Sequence, residues 1–366
     1  MVSGYCEEKY FPVKKIFENS FILKKEIGAS FSIYKNGSPI INLWGGLKNQ
    51  KKNWEENTIV NIFSATKGMY ETCVAFLFNE NQIDIEKPVC HYWNEFRSSD
   101  KREIKIKHIL NHQSGLYRFK QKITQEDLLD WNKIINILQT QMPDHKSGEK
   151  TYYHAKTHGY LIGEIVRKIT NKTIGEFLNT YFSKKLNLNL FIGVSKDKLS
   201  NIANLYSDPL PKSEEIEFNA FNNPKHEIGF YNTKAWQLAE VPSMNGHANA
   251  SSIAKIYDLL ANDYKFQKKN LLSKNTLDIF LHETENRIDQ SLMMPIRWSD
   301  GGFILRGGWL FGKNKESFGH NGWGGSLGFA DPINGIGIAY TTNKINPSMA
   351  ADLRIINLLK KFYEII

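Results

Sequence analysis

Apolar and polar positions change their spacing several times along this chain, and each change marks a different kind of element. From about Val13 to Leu23 the apolar residues recur at helical intervals. Two strand-like runs follow, Ala29-Ser30-Phe31-Ser32-Ile33-Tyr34 and Ile40-Ile41-Asn42-Leu43-Trp44. Asn36-Gly37 lies between them, which predicts a β-hairpin. Ser64 to Glu80 returns to the helical period, with Met69, Cys73, Phe76 and Leu77 on one face. Helical spacing predominates from Asp84 to about Phe182, interrupted at Pro88, Gly115 and Pro143. Ser195 to Glu240 is polar and turn-rich and predicts no definite element. Ser251 to Asn262 and Asn275 to Glu283 read as helices. Strand-like runs return at Gly302–Leu305, Trp309–Phe311, Ser326–Phe329 and Ile336–Tyr340. A last helix is expected from about Pro347, with Asn346 as its cap and the proline in the first turn.

Strands at both ends with helices between them predict an α+β fold. Its antiparallel sheet is formed by both chain ends and flanked by helices, and a mainly helical segment is inserted. The expected division gives residues 1–80 and 245–366 to the sheet domain and 81–244 to the helical insertion, with an active-site cleft between them.

Bulk properties narrow the class. At 366 residues the chain can bury a sizeable core. Its 41% hydrophobic and 13% aromatic content is that of a globular protein. Behind the formal charge of +9 the basic residues are scattered, at most in pairs such as Lys14-Lys15, Lys184-Lys185 and Lys360-Lys361. No basic run is interleaved with stacking aromatics, so a solvated surface is expected and no nucleic-acid partner. Three cysteines without close spacing argue against a disulfide framework and for a reducing compartment. Residues 1–13 carry Glu7, Glu8 and Lys9 and no apolar core, and no run of 18 apolar residues occurs. A cytoplasmic protein with no membrane partner is expected.

Candidate chemistry begins at Phe63-Ser64-Ala65-Thr66-Lys67-Gly68. On a helix starting at Ser64, the hydroxyl and the Lys67 amine share one face. A neighbouring amine can take the proton of a hydroxyl that is otherwise a poor nucleophile. The first turn also offers free N–H groups to a developing oxyanion. The spacing alone is weak, because Ser-x-x-Lys recurs at Ser32/Lys35, Ser98/Lys101, Ser147/Lys150, Ser195/Lys198 and Ser252/Lys255.

Two further segments give Ser64 a context. In Thr151-Tyr152-Tyr153-His154-Ala155-Lys156, a tyrosine in a turn before a helix can bring its phenol beside a lysine. Burial near positive groups lowers a lysine pKa, and nearby cations favour phenolate, so either group can serve as base. In Phe318-Gly319-His320-Asn321-Gly322-Trp323-Gly324-Gly325, small residues let a strand edge pass close to a ligand. A backbone N–H on that edge can complete an oxyanion hole with that of Ser64. His320 is a candidate hydrogen-bond partner for the tyrosine or a substrate carbonyl.

Together and in this order the segments resemble the serine beta-lactamase and penicillin-binding-protein superfamily, in particular its class C-like esterase branch. The resemblance covers roughly Phe17 to Asn343. Ser64-Ala65-Thr66-Lys67 is similar to the nucleophile motif, and Leu110-Asn111-His112-Gln113-Ser114-Gly115-Leu116 to the Leu-x-His-x-Ser-Gly-Leu loop bordering the pocket. Tyr153-His154-Ala155 stands where the family has Tyr-x-Asn, and His320-Asn321-Gly322 where it has Lys-Thr-Gly or His-x-Gly. The resemblance implies an acylated nucleophile at Ser64, its base partner at Lys67 and a proton relay at Tyr153. It also implies an oxyanion hole from the N–H groups of Ser64 and Trp323, and substrate contacts from Gln113, His320, Gly322 and Trp323. No metal or other cofactor is implied.

Two departures bear on the substrate. Ala155 replaces an asparagine that contacts the lysine and the substrate acylamide. His320 replaces a lysine, which removes a fixed positive charge at neutral pH. Both favour ester or uncharged acyl substrates over beta-lactams. A class C-like beta-lactamase, a D-Ala-D-Ala peptidase, an acyltransferase and an inactive binding relative are the alternatives.

Rival motifs are weaker. Gly324-Gly325-Ser326-Leu327-Gly328 matches a Gly-x-Ser-x-Gly elbow, which needs a following helix and a later histidine, and none follows Ser326. His108/His112 and His154/His158 have zinc-chelating spacing without the glutamate of a zinc-protease motif or an evident third ligand.

Overall fold

The computed structural model describes the chain except residues 99, 209–218, 263–264, 267–268, 286, 307–309 and 347–351. Seven antiparallel strands form the main sheet: β1 (Val2–Cys6), β2 (Gly28–Lys35), β3 (Ser38–Gly46), β4 (Ile304–Leu305), β5 (Phe318–Asn321), β6 (Leu327–Asp331) and β7 (Ile336–Thr342). Their spatial order is β1-β3-β2-β7-β6-β5-β4. The two chain ends meet where β2 pairs with β7, Ile33 opposite Ile338. The β2–β3 hairpin turns at Asn36 and Gly37, both at positive φ (51° and 80°). That is the backbone a two-residue hairpin of matching twist needs.

Helices cover both faces of the sheet. α1 (Phe11–Ile22) and α6 (Leu353–Ile365) bury Val13, Phe17, Ile355, Leu359 and Phe362 against Phe31, Ile33, Phe329 and Ile338. α5 (Ala250–Ala261) covers the other face, where Gly328 and Gly337 let it approach; a Cβ on Gly337 would stand 2.0 Å from the Asp258 nitrogen. Its start is capped by the Asn249 side chain, which accepts from the Ser252 N–H. α2 (Thr66–Asn79), α3 (Trp131–Thr140) and α4 (Thr157–Thr170) build a second apolar cluster around Tyr70, Val74, Leu110, Leu138 and Leu161, continuous with the α5 side of the sheet.

Several expectations need correction. α2 does not begin at Ser64; Phe63–Ala65 form a 3-10 turn that leads into it. Nor is it a one-sided helix, because ten successive residues from Thr66 to Ala75 are buried. The last helix starts at Leu353, capped by Asp352, while Asn346 bridges to Gly324 and the expected start at Pro347 lies outside the described residues. Leu310 and Phe311 lie in a turn and a bend, not a strand, and Trp309 lies outside the described residues. Between α2 and α4 long irregular stretches separate the helices, because their backbone groups bond to loop and side-chain partners. No described helix is long and apolar enough to cross a membrane.

Candidate active site

The nucleophile motif folds into a turn under tension. Phe63 holds φ at 46°, an uncommon conformation for a bulky residue, and Ser64 follows it half-buried. The Thr66 hydroxyl donates to the Phe63 carbonyl and accepts from the Gly246 N–H at 3.1 Å, which ties the turn to the chain entering α5. The i,i+3 relation survives the change from α-helix to 3-10 turn. Lys67 Nζ stands 3.3 Å from Ser64 Oγ.

Two backbone carbonyls hold the amine in place. Nζ donates to Ala155 O at 3.2 Å and Ser243 O at 3.3 Å. The first bond shows what replaces the missing asparagine: the main chain at Ala155 touches the lysine where a side-chain amide was expected to do so. The Lys67 side chain is fully buried, and that burial lowers its pKa from 10.5 to about 7, against the opposing pull of Glu71. A large fraction of the amine is thus a free base near neutral pH.

Tyr153 closes over the pair. Its ring centroid lies 4.8 Å from Lys67 Nζ, and the neighbouring Ser64 side chain favours its phenolate form. Burial pushes its pKa upward by more than Ser64 lowers it, and Glu71 and Asp289 push the same way. The expectation that nearby cations would favour phenolate is therefore reversed. A neutral Lys67 offers little positive charge and the apolar walls penalise the anion, so the phenol keeps its proton.

His112 of the loop bordering the pocket and several residues that the sequence did not single out fix that ring. Trp298 stacks on it at 5.7 Å and 8°, and His112 packs edge-on at 4.9 Å. Buried Asp289 accepts from the Tyr153 N–H at 3.1 Å and from the Trp298 indole at 3.1 Å, so one carboxyl aligns both. Phe221, from the polar stretch that predicted no element, lies 6.1 Å from the Tyr153 ring. The Lys156 amine donates to the Phe221 and Pro224 carbonyls and anchors that loop.

The strand edge after β5 forms the other wall. A Cβ on Gly322 would lie 2.1 Å from Ile62 O and 3.1 Å from Ala65 N, so only glycine lets this edge meet the nucleophile turn. Trp323 follows, its ring 5.1 Å from that of Phe63. Among the described residues, neither the Ser64 nor the Trp323 N–H donates to another backbone group. Arg354 of α6 steadies the edge by donating to Gly324 O at 3.0 Å, while its guanidinium pairs with Glu26 and Asp352.

The other expected residues divide. His320 is buried and faces the Tyr153 ring at 6.2 Å; its Nδ1 lies 2.7 Å from Asn321 O and its Nε2 has no partner among the described residues. It makes no hydrogen bond to Tyr153. Burial, reinforced by Lys67, lowers its pKa to about 3, so it is neutral. The Gln113 side-chain amide donates to the Thr151 hydroxyl at 3.3 Å and supports the tyrosine turn.

The rival motifs have other duties. Ser326 is buried and its carbonyl accepts from Gly322 N–H at 2.6 Å; a strand, not a helix, follows it, so it is no elbow. His112, His154 and His158 cluster, but through hydrogen bonds. His154 Nδ1 lies 2.7 Å from Tyr152 O and Nε2 2.6 Å from the Ser114 hydroxyl; His158 sits between the Tyr70 hydroxyl and Leu110 O; His112 Nδ1 accepts from the His154 N–H. The lone pairs a zinc ion would need are already engaged.

A terminal-strand sheet, a serine in the turn that leads into the helix bearing the lysine, a stacked tyrosine and a glycine edge together define a serine hydrolase of the beta-lactamase and transpeptidase fold. The chain belongs to the Beta-lactamase family, whose model matches residues 17–361. It is 27% identical over 366 residues to the Esterase/beta-lactamase LipL of Mycobacterium tuberculosis, covering 94% of this chain and 83% of that protein. A family VIII carboxylesterase crystal structure superposes with a TM-score of 0.92 at 30% identity, covering 100% of both chains. A penicillin-binding protein homologue from Caulobacter crescentus gives a TM-score of 0.92 at 28% identity, again over 100% of both.

Proposed function

We propose that this protein is a carboxylesterase that cleaves small uncharged esters through an acyl-enzyme on Ser64. The observation that carries the reading is a buried amine, free base in a large fraction at neutral pH, 3.3 Å from a half-buried hydroxyl and beneath a neutral phenol. Lys67 takes the Ser64 proton as Oγ attacks the ester carbonyl. The N–H groups of Ser64 and Trp323 receive the oxyanion. Tyr153 gives its proton to the departing alkoxide and regains one from the Lys67 ammonium, so the site ends acylated with its proton count restored. Water then enters by the reverse route and releases the acid.

The neutral state of His320 supports uncharged substrates, because it offers no cation to a ligand carboxylate at neutral pH. Trp298, Phe221 and Trp323 add apolar ring surface around the reacting groups. Three unpaired cysteines support a reducing, cytoplasmic setting. A panel of p-nitrophenyl acetate, p-nitrophenyl butyrate, nitrocefin and a D-alanyl-D-alanine peptide tests the assignment. The esters should be hydrolysed far faster than the other two. Nitrocefin turnover matching that of the esters would overturn it, and acyl transfer to an added alcohol in preference to water would make the protein an acyltransferase.

A further inference from the structure

Glu71 lies one helical turn beyond Lys67 on α2, and no step above uses it. Its side chain is completely buried, and neither carboxyl oxygen has a hydrogen-bond partner among the described residues. A buried carboxyl left in this state is costly and asks for a reason. Its surroundings are specific. A Cβ at Gly302 would stand 2.8 Å from Glu71 Oε1 and 3.0 Å from Leu110 O, so a glycine at φ 95° makes room for the carboxyl. Burial raises the Glu71 pKa well above its ordinary value, against the pull of Lys67, and a carboxylate there would act on Tyr70 of α2, on Tyr153 and on Tyr257 of α5, whose hydroxyl also has no hydrogen-bond partner among the described residues. The i,i+4 spacing puts the carboxyl on the same helix face as the amine, with Cβ atoms about 5–6 Å apart. Lys67 in turn faces the neutral imidazoles of His112, His154, His158 and His320, none of which supplies a counter-charge.

We propose that Glu71 is a positioning residue for acylation: its sealed carboxyl is the counter-group that sets how readily Lys67 holds the proton taken from Ser64. This rests on the reading of Lys67 as the base. Amine with carboxylic acid and ammonium with carboxylate are two forms of the pair with the same net charge, so the pair stores one proton without building up charge in the core. When Lys67 becomes an ammonium during attack on the ester, a carboxylate at this distance stabilises it. The pair loses that option when Glu71 is replaced by an isosteric amide.

Glu71→Gln is the test, read as the pH profile of kcat/KM for p-nitrophenyl butyrate and of Ser64 labelling by a fluorophosphonate. An opposite charge at such a distance raises an amine's pKa, so its removal should move the acid limb about 1 pH unit lower. The weaker base should also lower the plateau, by about tenfold. Glu71→Asp, which keeps the charge, should restore most of the limb position. A limb that stays in place in Glu71→Gln overturns the proposal. Should that variant not fold, Cε-13C NMR of the native protein's lysines decides. Lys67, assigned by its loss in Lys67→Met, should titrate in two steps beside a titrating carboxyl, and a single step would overturn the proposal. Absence of Ser64 labelling in the native protein would instead refute the hydrolase reading and leave the NMR titration to judge the pair.

Discussion

Acidification should silence this enzyme through one amine, and the fall can be worked out from the burial of Lys67. With a pKa of about 7, half of the Lys67 side chains are free base at that pH, roughly one in ten a unit lower and roughly one in a hundred two units lower. An ordinary lysine would be free in only roughly three parts in ten thousand at neutral pH. The difference between 10.5 and about 7 corresponds to about 5 kcal/mol that burial charges against the ammonium. The assay is kcat/KM for p-nitrophenyl butyrate between about pH 5 and 9, where the acid limb should have unit slope and a midpoint near 7. The same group leaves a second trace. Because the folded pKa lies below the unfolded one, the native state binds fewer protons between about pH 7 and 10.5. Its stability should therefore rise with pH across that window. Lys67→Met should lack that part of the rise, seen as the difference between the two urea unfolding curves, which isolates it from Lys156 and Lys101. Activity that stays flat down to pH 5, or a limb near pH 10, would refute the reasoning.

Three further outcomes are expected. Tyr153→Phe should lower kcat for esters about 10²–10⁴-fold, as loss of a proton relay does, with the urea midpoint nearly unchanged; a drop under tenfold would remove the phenol from the mechanism. Gly322→Ala should cost about 10²–10³ in kcat, because the added methyl meets Ile62 O at 2.1 Å and parts the strand edge from the Ser64 turn; full activity would contradict the proposed oxyanion hole. Arg354→Met should destabilise the fold by about 3–5 kcal/mol, since it leaves Glu26 and Asp352 buried without their cation; a loss under about 1 kcal/mol by urea unfolding would show that the cluster matters little.

How much of this was legible in the sequence depends on how far apart the cooperating residues are. Ser64 and Lys67 meet within one turn, so their spacing alone suggested contact, even though the turn is 3-10 and not α-helical. The Asn36-Gly37 hairpin and the pairing of both chain ends were likewise visible, one through turn chemistry and the other through strand-like runs at either end. Asp289, Trp298, Ser243 and Phe221 carried no local signal. They reach Tyr153 or Lys67 only because distant segments return to the site, and each is an ordinary residue in a loop or, for Asp289, a three-residue strand. Phe63 at positive φ could not be foreseen, since a bulky residue adopts that backbone only when the surrounding fold imposes it. The direction of the Tyr153 shift was misjudged because net charge is visible in a sequence and desolvation is not. Glu71 did carry a signal, as the one acid in α2, but its meaning depended on finding every residue from Thr66 to Ala75 buried.

The destination of the acyl group distinguishes a Ser64 acyl-enzyme from every other route. The native protein, mixed with p-nitrophenyl butyrate and quenched in acid within the first turnovers, should show one added butyryl group by intact-mass spectrometry. Peptide mapping should place it on Ser64, and Ser64→Ala should show neither adduct nor turnover. A butyryl group found on another residue, such as Ser326, or turnover that survives in Ser64→Ala, would contradict the account.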